Sequence, residues 1–244
     1  MAMAMALTRR ALVILVASLV GAGVTARLGV WQLDRAAQKN ALQAALDGRR
    51  MLPPLATAEL AATEVAASEQ HYRPAVLEGR WIAERTVYLD NRQMNGLPGF
   101  YVVTPLLLAD GTAVLVQRGW EQRNFVDRSR VVAPATSDAV VRVAGHIAPP
   151  PGRLFDFAGA DSGLIRQNLD LAAYAAEIHR PLRPLSLVQE DGPLTPPDGL
   201  LRQWPRPAAD VQKHYGYAFQ WFAMATLILG LYVWFQLIRP RQRR

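Results

Sequence analysis

From His214 to Ile238 the chain reads HYGYAFQWFAMATLILGLYVWFQLI, with no Lys, Arg, Asp or Glu. As a helix this run is long enough to cross a hydrocarbon core about 30 Å thick. It constrains the fold before any other feature does. A helix apolar on every side must be buried in a large core or handed to lipid. The run also opens with a histidine among aromatic residues, and an ionisable group at the mouth of a span asks for a reason.

A second apolar segment, ALVILVASLVGAGVTA, runs from Ala11 to Ala26 behind Arg9-Arg10 and is completed past Arg27 by Leu28 to Trp31. Transmembrane helices are therefore expected over 11–31 and 214–238. A cleaved signal peptide is the rival reading of the first segment, since a basic start, an apolar centre and small residues before Ala26 fit that pattern too. Either way the second segment would hold the chain in the membrane.

Charge placement orients the pair. All 20 acidic residues lie between Asp34 and Asp210, and the net charge of +7 resides in Arg9, Arg10, Arg27, Arg239, Arg241, Arg243 and Arg244. Six of these flank the outer ends of the two segments. The excess of positive charge there predicts a cytoplasmic N-terminus (1–10), a periplasmic domain (32–213) and a basic cytoplasmic tail (239–244). The basic balance is thus a topology signal. A nucleic-acid partner would need a basic patch on the soluble part. There is no cysteine, which excludes disulfides, thiolate metal sites and a CxxxC-type copper carrier.

Between the segments, Gln32 to Leu46 is rich in helix formers and extends the first span into water. Ala56 to Gln70 is open between a short helix and a loop. Short runs rich in Val, Leu, Tyr and Trp then follow at Tyr72–Trp81, Thr86–Asp90, Phe100–Leu108, Ala113–Gly119 and Ala139–Ile147. Turn residues separate them, including Asn95-Gly96-Leu97-Pro98-Gly99 and Asp110-Gly111. Leu169 to His179 is expected to be helical, Pro184 to Glu190 a last strand, and Pro193 to Pro207 an extended tether. The fold class is a membrane protein with two helices flanking an antiparallel, β-rich α+β domain.

No catalytic motif stands out, and no enzyme is expected. The histidines at 71, 146, 179 and 214 are not at metal-ligand spacing. Asp156, Asp161 and Asp170 read better as surface carboxylates than as acid/base pairs. The spans are richer. Ala17, Gly21, Thr25 and Gly29 recur every four residues and would let another helix approach closely. His214, Tyr217, Ala218 and Trp221 share a helical face. An imidazole there can ligate haem iron, with Arg27 and Arg35 near the same membrane surface to pair with propionates. The competing reading is an interfacial aromatic belt with a solvated histidine.

Three ordered blocks resemble the Surfeit locus protein 1 family. They are LGVWQLDRAAQKNAL (28–42), LDNRQMNGLPGFYVVTPLLLADGTAVLVQRGW (89–120) and HYGYAFQWFAMA (214–225). The second contains Gly99-Phe100, Thr104-Pro105 and Arg118-Gly119-Trp120. The resemblance implies an assembly factor for haem-copper cytochrome c oxidase that binds haem a transiently and aids its insertion into the catalytic subunit. The metal ligand it implies is His214, and Tyr217, Gln220 and Trp221 match the surrounding motif without an assigned role. Implied partners are the oxidase catalytic subunit, haem a synthase and membrane lipid, with no nucleic acid. The implied place is the bacterial inner membrane, which fits the lack of a long Arg/Ser-rich presequence. The alternatives are a cofactor-free scaffold for oxidase intermediates and an anchored outer-face enzyme or sensor.

Overall fold

The computed structural model describes residues 9–127, 129–155, 162–195, 197–205 and 211–239. Asp156, Asp161 and the tail beyond Arg239 lie outside them. The chain divides into two compact units, one from residues 1–45 with 206–244 and the other from 46–205.

The first unit is helical. Helix α1 runs unbroken from Arg9 to Arg50, so the apolar segment and the Gln32–Leu46 extension form one rod. The second long helix is Val211–Tyr232, continued by a π-helical turn over Val233–Ile238. Both helices are long and apolar enough to cross a membrane.

The second unit is built on strands β1 (Leu55–Ala56), β2 (Pro74–Trp81), β3 (Val87–Met94), β4 (Leu97–Leu107), β5 (Ala113–Gln122), β6 (Val141–Ala148), β7 (Ile165–Arg166) and β8 (Leu182–Gln189). Helices α2 (Glu64–Gln70) and α3 (Leu171–Ile178) accompany them, and Val211–Tyr232 is α4. The sheet order is β1-β2-β6-β8-β5-β4-β3-β7, and β2 also pairs with β4. That pairing, Arg80 with Leu107 and Trp81 with Leu106, closes β2, β6, β8, β5 and β4 into a barrel. Closure removes the exposed edges that an open sheet of this size would carry.

Alternating residues fill the barrel. Leu77, Leu106, Val114, Val116, Val143, Ile147, Leu185 and Leu187 form its aliphatic interior. On the outside, α3 lays Tyr174 and Ile178 over Val87, Leu89, Val103 and Leu115. Asp170 starts that helix by accepting from the Ala173 amide at 3.0 Å, an N-cap that a catalytic carboxylate would not be spending.

Three expectations need correction. First, the sheet is not wholly antiparallel. β8 inserts between β6 and β5 and runs parallel to β5, because α3 and its loops carry the chain back across the barrel. The edge pairs β1–β2 and β3–β7 are parallel too. Second, only Asn95-Gly96 forms the β3–β4 turn, with φ of 52° and 78°, the signs a two-residue type I′ hairpin requires. Leu97-Pro98-Gly99 already belongs to β4. There Gly99 is needed for close approach, since a Cβ would lie 2.4 Å from the Trp120 ring and 2.3 Å from the Glu121 carbonyl oxygen. Third, much of the Pro-rich return is packed. Leu201 exchanges backbone hydrogen bonds with Trp120 at 2.7 and 2.9 Å. The Trp204 indole donates to the Gln189 carbonyl at 2.8 Å and stands edge-on to Tyr101.

The same return segment supplies the counter-charge for a buried arginine. Arg118 on β5 is 1% exposed. Its Nη atoms donate to Thr136 Oγ1 and the Ala135 carbonyl, both at 2.9 Å. Nη2 also lies 3.5 Å from Asp198, which accepts from Arg202 Nη2 at 2.5 Å. The guanidinium lies over the Trp81 ring, 4.7 Å from its centroid. Burial lowers the Arg118 pKa from its ordinary value, and Asp198 works against that shift. Trp120 is anchored by its indole N–H to the Arg92 carbonyl at 2.8 Å. Arg118 and Trp120 of the Arg118-Gly119-Trp120 block thus both hold structural positions in the barrel wall.

Asp198→Ala would leave buried Arg118 without a carboxylate and Arg202 with only Asp191, and we expect it to lower stability by about 3–5 kcal/mol in chemical denaturation of the full chain. Glu190 offers a milder test. A hydrogen bond with His146 holds its carboxyl below the ordinary 4.5, against the opposing effect of burial. A depressed carboxylate pKa stabilises the fold above the unfolded value and loses that contribution as pH falls through the folded value. Glu190→Gln should accordingly flatten the fall of the unfolding midpoint below about pH 4.5. An unchanged acid limb would show that other carboxylates set it.

Candidate functional site

The helical unit is organised by a seam. Ala22, Thr25 and Ala36 are buried on α1, as are Ala218 and Ala225 on α4. With Gly29 and Gln32, the α1 positions 22, 25, 29, 32 and 36 alternate steps of three and four, and so do 214, 218, 221, 225 and 228 on α4. This 3.5-residue period is that of two helices facing each other along one seam. The expected row of small residues was spaced by four, and it drifts off the contact. Thr25 and Gly29 lie in the seam, Gly21 sits at its edge, and Ala17 is exposed.

Two details let the helices meet. The Thr25 hydroxyl is satisfied within its own helix, donating to the Gly21 and Ala22 carbonyls at 2.9 and 3.0 Å. No polar group is therefore left unpaired there. At Gly29, a Cβ would fall 2.8 Å from the Phe222 ring. Glycine is the residue that admits this aromatic side chain.

His214 sits at the polar end of the seam and is half-buried. Its Nδ1 lies 2.7 Å from Gln32 Oε1. An amide oxygen only accepts, so the imidazole donates through Nδ1–H. That bond assigns the other nitrogen. In the neutral ring Nε2 then carries the lone pair, and it has no hydrogen-bond partner among the described residues. Nearby, the Asn40 amide donates to the Tyr215 hydroxyl at 3.1 Å, a second polar tie between the helices.

The remaining expected site residues divide. Trp221 shares the seam side of α4 with His214 and is half-buried, whereas Tyr217 flanks it and is 51% exposed. Arg27 is exposed and lies on the opposite side of α1 from Thr25, Gly29 and Gln32, because five residues back from Gln32 and two beyond Thr25 is half a turn away at 100° per residue. The structure does not bring Arg27 to the histidine. Arg35 stacks on Trp31 of its own helix at 5.7 Å. Gln32 had not been singled out from the sequence. Its signal was its seam position, three residues after Gly29, among otherwise small side chains.

The other histidines are engaged in the fold. His146 pairs with Glu190 at 2.8 Å, and His179 closes α3 in a left-handed conformation. His71 ends α2, and burial and then Arg49 lower its pKa. Among the described residues no three His, Asp or Glu side chains converge to hold a metal.

The model for the SURF1 family matches residues 19–226. The chain belongs to the SURF1 family. A SURF1-like protein of Rickettsia felis is 25% identical over 214 residues, covering 84% of this chain and 89% of that protein. One from Rickettsia bellii is 25% identical over 213 residues, covering 84% and 83%. The cytochrome oxidase assembly protein SHY1 of Saccharomyces cerevisiae is 30% identical over 94 residues, 38% of this chain and 24% of that one. The SURF1-family match reaches into both apolar helices and so includes Gln32 and His214. Of the three blocks that carried the resemblance, the first and third meet in the seam, and the second forms β3 to β5.

As for fit, one imidazole with Nε2 unclaimed, beside partly exposed Tyr217 and Trp221, is a donor set that could hold the iron of a planar macrocycle. Gln32→Leu would release Nδ1. Nitrogen-15 spectra of the His214 ring should then change from the single Nδ1–H tautomer to a mixture, and an unchanged tautomer would mean the amide does not set it. Gly29→Val should push Phe222 out of the seam and lower the thermal midpoint in detergent by several degrees, as overpacking costs about 1–3 kcal/mol.

Proposed function

We propose that this SURF1-family protein is a membrane-anchored assembly factor for haem-copper cytochrome c oxidase. In this role it takes haem a as cargo through His214 and aids its insertion into the catalytic subunit. The observation that carries the reading is the hydrogen bond from His214 Nδ1 to Gln32, which leaves Nε2 as a fixed, unpaired donor. Haem a supplies the iron that such a nitrogen ligates. Tyr217 and Trp221 would lie along the macrocycle. Arg27 would contribute only long-range charge, since it faces away.

Family membership and the similarity to the yeast cytochrome oxidase assembly protein support the oxidase pathway. The exposed Leu12, Val13, Val16, Leu19 and Val20 on α1 and Leu227, Leu229 and Leu231 on α4 support a lipid surrounding for both helices. We read the chain as a two-span protein of a bacterial inner membrane with both termini in the cytoplasm. The barrel domain then lies in the periplasm, where it meets the oxidase catalytic subunit and haem a synthase. The protein acts by holding and handing over cargo and not as an enzyme.

The test is an absorption spectrum of the full chain, purified in detergent from cells that make haem a, beside its His214→Ala variant. A haem a spectrum in the first that is lost in the second, with unchanged thermal unfolding, is the expected result. Oxidase subunits co-purifying with both proteins, and haem with neither, would make the chain a cofactor-free scaffold.

A further inference from the structure

Inward-facing positions on a barrel strand recur every second residue. Along β5 they run Val114, Val116 and Arg118; along β8, Leu185, Leu187 and Gln189; along β6, Val143 and Val141; along β2, Leu77, Gly79 and Trp81. The aliphatic interior thus ends, at one mouth of the barrel, in a guanidinium, an amide and an indole. A cleft of about 230 Å³ opens there, with Val141, Val143 and Leu194 as its apolar wall.

Two side chains at this mouth are buried and incompletely paired. Gln189 is 2% exposed and Arg118 1%. Among the described residues, Gln189 Oε1 and Arg118 Nε have no hydrogen-bond partner. Arg118 also has the weaker share of the Asp198 carboxylate, at 3.5 Å against 2.5 Å for Arg202. Arg118 and Arg202 share the single buried carboxylate of Asp198, and the other acid on Arg202, Asp191, is 74% exposed. Arg142 adds a further, exposed cation at the rim.

We propose that the barrel mouth is a binding site for a small carboxylate. One carboxylate oxygen accepts from Arg118 Nε–H. The other accepts from the Gln189 NH₂, after a half-turn of the amide that exchanges its oxygen and nitrogen. The short apolar chain behind the carboxylate lies on Val141, Val143 and Leu194. The ligand brings Arg118 a carboxylate closer than that of Asp198, 3.5 Å away, in a buried site where such a bond is stronger than on the surface. Barrel mouths are common places for pockets of this kind. The carboxylate belongs either to a free short-chain acid or to the end of a peptide, and the recognition chemistry is the same for both. The site stands on the barrel alone and is independent of His214.

The experiment follows thermal unfolding of the full chain in detergent as sodium butyrate is added, with butyramide as the uncharged control of the same shape. The proposal expects a saturable rise of the midpoint with butyrate and a half-saturating concentration at least ten-fold higher for butyramide. Gln189→Leu should weaken the butyrate response at least ten-fold. Leu194→Trp, at a side chain 38% exposed, fills the cleft from outside and should abolish the response, even if Gln189→Leu fails to fold. A pentapeptide with a free C-terminal carboxylate, run beside its C-terminal amide, separates the sources. Tighter binding than butyrate, lost on amidation, supports the site and assigns it a protein terminus; weaker binding supports it as a site for a free acid. No response to butyrate or to the peptide, equal responses to butyrate and butyramide, or a response surviving Leu194→Trp would each overturn the proposal.

Discussion

The burial of Arg118 organises the outer domain. A guanidinium inside a barrel is tolerated only when its charge and most of its donors are met locally, and three separate pieces of chain are drawn in around its charge and its Nη donors. The loop at Ala135 and Thr136 supplies two acceptors, Trp81 supplies a ring face, and Asp198 supplies the anion. Asp198 comes from the segment that leads out of the domain, so the need to neutralise Arg118 also fixes that segment. Leu201 and Trp204 follow it onto the barrel by backbone and indole hydrogen bonds. One buried charge thereby decides where an otherwise Pro-rich stretch must run.

The helical unit rests on a different kind of constraint. The α1 side of its seam is made mainly of small residues, which leave room for larger side chains of α4. Phe222 fits against Gly29 because no side chain is there. Closeness of this sort holds only in one register. That register places Gln32 opposite His214 and Asn40 within reach of Tyr215. Packing in the apolar part of the pair therefore fixes hydrogen bonding at its polar end.

What the sequence disclosed follows from the range of each interaction. Strand positions were legible because alternation is local, and Asn95-Gly96 and Asp110-Gly111 carry turn chemistry in their own residues. The parallel pairing of β5 with β8 was not, since nothing within either strand says which neighbour it will meet. Gly99 looked like a turn glycine beside Pro98. Its actual partner, the Trp120 ring, is on the next strand. The small-residue face was seen but phased at four instead of three and a half residues, which kept Ala17 and missed Ala22. His214 stood out by its chemistry. Gln32 did not, because an amide in a helix acquires meaning only when the opposite helix is in place. The spacing of 22, 25, 29, 32 and 36 was the one signal that could have picked it out.

That the partner of His214 is an amide bears on the proposed handover. A carboxylate on Nδ1–H would raise the basicity of the imidazole and strengthen its hold on a metal. Gln32 orients the ring and sets its tautomer as a carboxylate would, yet it brings no negative charge. On the proposed reading, the result would be a ligand held in position but not strengthened, on a helix whose neighbouring Tyr217 is left open to its surroundings. A resident cofactor gains from the tightest available ligand. A cargo must also leave, and orientation without added basicity separates the two requirements: the seam provides the first, and the neutrality of Gln32 preserves the second.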